Sequence, residues 1–206
     1  MPAKLIGLLL QLATVLIALE GCMSVNTPKY DIVSSDDSIE VRRYEPLIVA
    51  ETKVTGAFGD AANIGFRRLA NYIFGGNKAQ TKIAMTAPVA QTASSEKIAM
   101  TAPVAQSEVD GAFVIAFTMP AGYTLATLPI PNDPSVTLRA VPAQQVAAIR
   151  FSGFWSESRY KEHLTILQDW MRAHGLTPAA PPTWARYNPP WTPWFLRRNE
   201  ILIDIR

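Results

Sequence analysis

Few side chains in this sequence could carry out chemistry, and their spacing excludes most reactions. Cys22 is the only cysteine in 206 residues, so no internal disulfide is open to the chain. His163 and His174 are the only histidines, and no cysteine or histidine stands at zinc-binding spacing from either. A serine nucleophile would need one of them as its base, yet no Gly-x-Ser-x-Gly turn accompanies either. A glycine-rich phosphate loop is also missing. Met85 and Met100 offer thioethers, but adaptable packing is the usual work of methionine. These absences predict a protein that binds something rather than an enzyme.

Cys22 has a distinctive setting. Lys4 precedes an apolar run over residues 5–19, broken only by Gly7, Gln11 and Thr14. The run is short for a membrane span and has the length of a signal-peptide core. It ends in Leu19-Glu20-Gly21-Cys22, which resembles the lipobox of bacterial lipoproteins: an aliphatic residue, a tolerant position, a small residue, then cysteine. Glu20 is unusual at the tolerant position. Residues 1–22 are therefore read as a signal peptide with Cys22 as the lipidated first mature residue, 23–29 as a tether, and 30–206 as the folded domain. Two or more acyl chains would hold such a protein stably on a membrane. An ordinary cleaved signal and a short uncleaved anchor are the other readings of the same stretch. Met23 rather than an aspartate follows the cysteine, which favours the outer membrane, facing the periplasm, if the host has one. A net charge of +2 argues against a nucleic-acid partner, because that needs a basic face or stripe.

The elements that must position any site come in two matching sets. Strand signals at 38–44 and 47–54 break at Glu45-Pro46, Gly56 punctuates, and a helix pattern follows over 58–74. Its apolar side carries Ala62, Gly65, Phe66, Leu69, Ala70, Tyr72 and Ile73. The scheme returns with strands at 135–141 and 144–151, Gly153, and a helix over 157–173. The stripe of that helix is Tyr160, His163, Leu164, Ile166, Leu167, Trp170 and Met171. Sliding one half over the other by 97 residues aligns Val41 with Leu138, Val49 with Val146, Gly56 with Gly153 and Phe58 with Trp155, without a gap. Further strands at 112–119, 184–187 and 200–205 complete the halves. The expected fold is α+β: two pseudo-repeated strand–strand–helix–strand units, rolled into a distorted antiparallel β-barrel flanked by two helices. The alignment also places Phe66 opposite His163, which makes an ordinary packing role the leading reading of that histidine. A smaller repeat lies inside the first half. Residues 82–91 and 97–106 both read KIAMTAPVAQ, and either pair as a hairpin or leave one copy looped out.

Three segments carry a resemblance to a known family. They are the KIAMTAPV motif at 82–89 with its copy, the helix end Tyr72-Ile73-Phe74-Gly75-Gly76-Asn77, and the segment 187–200, YNPPWTPWFLRRNE. Together they resemble the SOUL/haem-binding-protein family over roughly Tyr30 to the C-terminus. The resemblance implies a non-enzymatic protein that holds haem or another tetrapyrrole without covalent attachment. Binding would use an apolar cleft between the first helix and the loop before the last strand, with arginine contacts to the propionates. Carried onto this sequence, it points to Ile64, Arg67, Arg68 and Tyr72 on the helix, with Trp191, Trp194 and Phe195 opposite, and to haem held without a fixed axial ligand. His163, from its place in the apolar stripe of the second helix, is the candidate axial ligand the residues themselves offer. Arg197 and Arg198 either serve the ligand or pair with acids such as Glu200. The alternative function is a module for another hydrophobic ligand, or an envelope interaction protein without haem.

Overall fold

Alternating β-branched and polar residues, cut by Glu45-Pro46, Pro142 and paired glycines, produce a sheet-rich domain. The computed structural model describes residues 26–80 and 94–206. In chain order these form β1 (Tyr30–Asp36), β2 (Ile39–Tyr44), β3 (Leu47–Val54), α1 (Phe58–Ile73), β4 (Asn77–Lys78), β5 (Val104–Val109) and β6 (Ala112–Thr118). Then follow β7 (Ile130–Pro131), β8 (Val136–Val141), β9 (Gln144–Phe151), α2 (Glu157–Ala173), β10 (Thr183–Arg186), a 3₁₀ turn (Trp194–Leu196) and β11 (Asn199–Ile205). The lipobox-like segment with Cys22 and the first KIAMTAPVAQ copy with Met85 lie outside the described residues.

Nine strands make one antiparallel sheet in the order β1-β2-β9-β11-β10-β5-β6-β3-β8, while β4 and β7 form a small separate ribbon. Strands β1 and β8 stand at the two ends of this order and do not pair with each other among the described residues, so the α+β class with one large antiparallel sheet and two helices holds and no closed barrel is found there. Apart from β1, the order reads the same from either end once each element is exchanged for its equivalent in the other half. A shift of 97 residues carries β2 onto β8 and β3 onto β9 residue for residue. The two halves also interlock: β2 pairs with β9 and β3 with β8, so the breaks at Pro46 and Pro142 send consecutive strands to different partners. Gly56 and Gly153, aligned by the same shift, both take positive φ, 129° and 121°. Each is the point where a strand turns into a helix, in a backbone region that other residues enter only with strain.

Each helix covers its own core cluster. Leu69, Tyr72 and Ile73 of α1 pack in one cluster with Ala50, Ile115, Phe117 and Leu128. A Cβ on Gly65 would sit 2.3 Å from Cγ1 of Ile115, so the missing side chain lets α1 lie close on β6. Beneath α2 lie Ile39, Ala147, Ile149, Phe151, Leu167, Met171, Ile201 and Ile203. This second helix is less deeply seated than its stripe predicts: only Leu167 and Met171 are buried, and Ile166 is 47 % exposed. Ser156 caps α2 by accepting a hydrogen bond from the Arg159 amide.

Candidate functional site

The residues picked out on α1 separate into two groups. Ile64 and Arg67 line a shallow hollow of about 510 Å³ with Asp60, Asn63 and Phe66. Arg68 is turned toward β3, where its Nη1 donates to Thr52 Oγ1 and to the Lys53 carbonyl, both at 3.3 Å. Tyr72 is buried, its hydroxyl donates to the Pro129 carbonyl at 2.9 Å, and burial pushes that hydroxyl up to about 12. Arg68 and Tyr72 are thus engaged in tying α1 to the sheet and to the segment before β7.

Residues 187–198 form the loop between β10 and β11. Three prolines stiffen it, and turns close it through Thr192 N to the Pro189 carbonyl and Leu196 N to the Pro193 carbonyl. Arg197 braces it from within, donating from Nε to the Thr192 carbonyl (2.8 Å) and from Nη2 to the Pro190 carbonyl (2.6 Å). The loop docks on the β9–α2 connection. Gly153 N donates to the Trp194 carbonyl, and the Trp194 ring stacks on Phe154 at 5.1 Å and 9°. Phe195 meets Trp194 edge-on at 5.3 Å. Apolar rings are left on the surface: Trp191 is 77 % exposed, Phe195 60 % and Phe154 57 %. Beside them a hollow of about 420 Å³ is lined by Ser38, Arg150, Phe151, Ser152, Phe195, Leu196 and Arg197. Among the described residues no hydrogen bond, ion pair or ring contact links Ile64, Arg67, Arg68 or Tyr72 to Trp191, Trp194 or Phe195. One hollow among the described residues lies on α1 and another between the end of β9 and the 187–198 loop.

His163 is half-buried on α2, its ring stacked on Phe151 at 3.9 Å and 17°. Its Nδ1 lies 2.9 Å from the Arg159 carbonyl. A carbonyl only accepts, so Nδ1 carries the proton of the neutral ring and Nε2 keeps its lone pair, the tautomer a metal ligand needs. His174 repeats the geometry on Trp170, with its carbonyl at 2.8 Å and its ring at 4.0 Å. The arrangement is therefore a general habit of these helical histidines and does not single out His163. The described residues contain no group of three His, Cys, Asp or Glu placed to hold a metal ion.

A buried ionic network backs the aromatic loop, and only part of it was visible in the sequence. Glu200, fully buried, accepts from Arg42 Nη1 at 2.7 Å and Nη2 at 3.0 Å, from Tyr187 Oη at 2.6 Å and from Arg198 Nε at 2.9 Å. Burial acts to raise its carboxyl, but hydrogen bonds and charge from Arg42, with help from Tyr187 and Arg198, outweigh that and leave it lowered. Burial likewise opposes the Arg42 charge, and the hydrogen bond and charge of Glu200 reverse the effect, so its pKa is raised. The Arg198–Glu200 pairing was one of the two readings above. Arg42 lies 158 residues from its partner, and only its place among apolar strand residues hints at burial.

A third cluster fills the seam between the helices. Trp184 is buried, stacked against Phe58 of α1 at 5.1 Å and against Tyr160 of α2 at 5.6 Å. Arg186 lies over the Trp184 ring at 4.2 Å and donates from Nη2 to Gln106 Oε1 at 2.7 Å.

The comparison with protein families decides the affiliation. The model described as SOUL heme-binding protein matches residues 25–204. The chain belongs to the SOUL family. A search of curated proteins by sequence finds no significant match. Among solved structures, the C-terminal domain of EcmrR is similar with a TM-score of 0.58 at 11 % identity, covering 86 % of this chain and 98 % of that one. A hydrolase from Listeria innocua is similar with a TM-score of 0.51 at 10 % identity, covering 84 % of this chain and 94 % of that one. At such identities the likeness is one of fold alone. For a SOUL-family chain the relevant test is whether the residues present suit haem, a flat apolar macrocycle with two carboxylates. The exposed Trp194, Phe154 and Phe195 rings beside Arg150 and Arg197 suit both parts of it.

Proposed function

We propose that this protein binds haem or another tetrapyrrole without covalent attachment and without catalysing a reaction. The observation that carries this is the family match over residues 25–204, joined to an apolar shelf exposed beside arginines. Monomeric proteins rarely leave large apolar patches on view unless something binds there. The aromatic loop would supply the flat contact, and arginine side chains would meet the propionates. His163 Nε2 would be the candidate atom for ligating iron, with Phe151 stacked on the ring. The reading excludes a nucleic-acid partner and takes the palindromic sheet as the product of an internal duplication.

Saturable growth of a Soret band on adding haemin to the purified full-length protein is the expected result, weakened about ten-fold in Trp194→Ala, which removes one stacked ring worth roughly 1–3 kcal/mol. No saturation at micromolar haemin would refute the reading. A different hydrophobic molecule found by native mass spectrometry of protein from its own host would favour the alternative ligand.

We further propose that the protein sits at the cell envelope, lipid-anchored through Cys22, on the periplasmic side of the outer membrane in a Gram-negative host. Cys22→Ser should move it from the membrane to the soluble fraction. Unchanged membrane attachment would refute the anchor.

A further inference from the structure

Four arginines gather around the start of α2. Arg150 and Arg197 line the same hollow as Phe195 and Leu196. Arg159 donates to the carbonyl of Ser152, which lines that hollow too. Arg197 and Arg186 lie over the Trp155 ring, at 4.5 and 5.5 Å, so one indole stands between two guanidiniums. None of the four forms an ion pair among the described residues. Glu157, Glu162 and Glu200, the acids nearest in sequence, are not paired with them either: Glu157 takes Lys161, and Glu200, although it stands opposite Arg150 across β9 and β11, takes Arg42 and Arg198. Arg159 Nε and Arg186 Nε are buried with no acceptor. Burial alone lowers Arg186 to about 10, which is the mark of a cation lacking a counter-charge.

Buried charges are ordinarily paired, and an orphaned donor costs free energy. Here the missing partner would be negative, and the surface next to it is a set of exposed flat rings. The α1 hollow differs, because Asp60 lines it together with Arg67 and the charges offset.

We infer that the shelf at the start of α2 is the binding site for a flat apolar ligand bearing carboxylates, with Arg150 and Arg197 as the carboxylate contacts and Phe154, Trp194 and Phe195 as the stacking surface. Arg186 and Arg159 stand behind them and set the positive field. This deepens the reading given under the proposed function by assigning the acid contacts to the second half of the chain rather than to Arg67 and Arg68. It concerns the carboxylates of the ligand and not its iron.

The test uses metal-free protoporphyrin IX and its dimethyl ester, titrated by tryptophan quenching into the full-length protein. The free acid should bind about ten-fold or more tightly than the ester. Arg150 is exposed and makes no side-chain hydrogen bond among the described residues, so Arg150→Gln tests the contact without disturbing the loop. In that variant, and in Arg197→Gln, the preference for the acid should shrink several-fold, with ester affinity unchanged for Arg150→Gln and Arg150→Lys restoring most of the preference. Equal affinity for acid and ester would overturn the inference. So would a preference that survives Arg150→Gln and Arg197→Gln and is lost in Arg67→Gln. Failure of haemin to bind, with arginine-dependent binding of protoporphyrin, would sink only the haem reading.

Discussion

Replacing Glu200 by alanine should unsettle the whole domain, because of where its partner would be left. Arg42 is 2 % exposed and Glu200 0 %, and their bidentate contact joins β2 to β11 across β9. Without the carboxylate, Arg42 keeps a single charged contact, Nε to Glu40 at 2.7 Å. Tyr187 loses its acceptor at the same time. Breaking a buried pair on one side costs about 3–5 kcal/mol, against a whole-domain stability of about 5–15 kcal/mol. At roughly 2–4 °C per kcal/mol for a domain of this size, Tm should fall by about 6–20 °C. Circular dichroism melts of Glu200→Ala measure this. Removing both charges together, as Arg42→Met with Glu200→Leu, should recover much of the loss, since well-packed apolar pairs replace buried ion pairs at little cost. The pH dependence carries its own sign. Glu200 is lowered in the fold, so its contribution is fully present above its unfolded value and is lost as pH falls through the folded one. Parent protein should lose stability below about pH 4.5 more steeply than Glu200→Gln does. A Glu200→Ala variant within about 1 kcal/mol of the parent, with an unchanged acid limb, would refute the reasoning.

Two further substitutions test the packing. Gly65→Ala should lower stability by about 1–2 kcal/mol in denaturant melts, because the clash with Ile115 outweighs the better helix propensity of alanine; a stabilised variant would show that α1 can shift off β6 freely. Arg186→Met should raise stability by about 1–3 kcal/mol near neutral pH, because it removes a buried cation with no counter-charge. Its pKa is lowered in the fold, so the cost of its charge is present below about pH 10 and fades as pH rises toward the unfolded value; a destabilised Arg186→Met would mean that stacking on Trp184 outweighs desolvation.

Strands β2, β3, β8 and β9 were legible to within a residue because proline breaks and alternation mark both ends. Strand β1 was not, since six of its seven residues are exposed and no apolar face patterns it. Strand β5 was hidden because it begins at Val104, inside the second KIAMTAPVAQ copy and directly after a proline. On α2, Ile166 completed a tidy stripe and yet lies outside the core, since that helix rests on β9 and β11 through a narrower line of residues. The candidate site was half legible. The Trp/Pro loop stood out by composition, but the surface it docks on depends on long-range pairing that no local pattern encodes. Arg150, Arg159 and Arg186 passed unnoticed for the same reason: each looks like an ordinary charge until it is seen to form no ion pair among the described residues.

The palindromic sheet supplies an internal control for what is special about one half. At matching places, β5 and β6 are joined by the two-residue turn Asp110-Gly111, with φ of 51° and 71°, while β10 and β11 are joined by the long loop 187–198. A two-residue turn is sufficient to close such a hairpin, so the longer connection is not needed for the fold. The same contrast holds where the loop docks. Ala57 is the counterpart of exposed Phe154, and buried Ala62 is the counterpart of Arg159. Equivalent backbone positions thus carry small residues in the first half and a ring or a guanidinium in the second. Packing requirements common to both halves cannot account for residues found in only one. Phe154, Arg159 and the long loop with its rings and Arg197 are therefore particular to the second half, whereas Arg150 has a cation, Lys53, at its matching place. The proposed ligand-binding role would account for the loop residues that packing does not require.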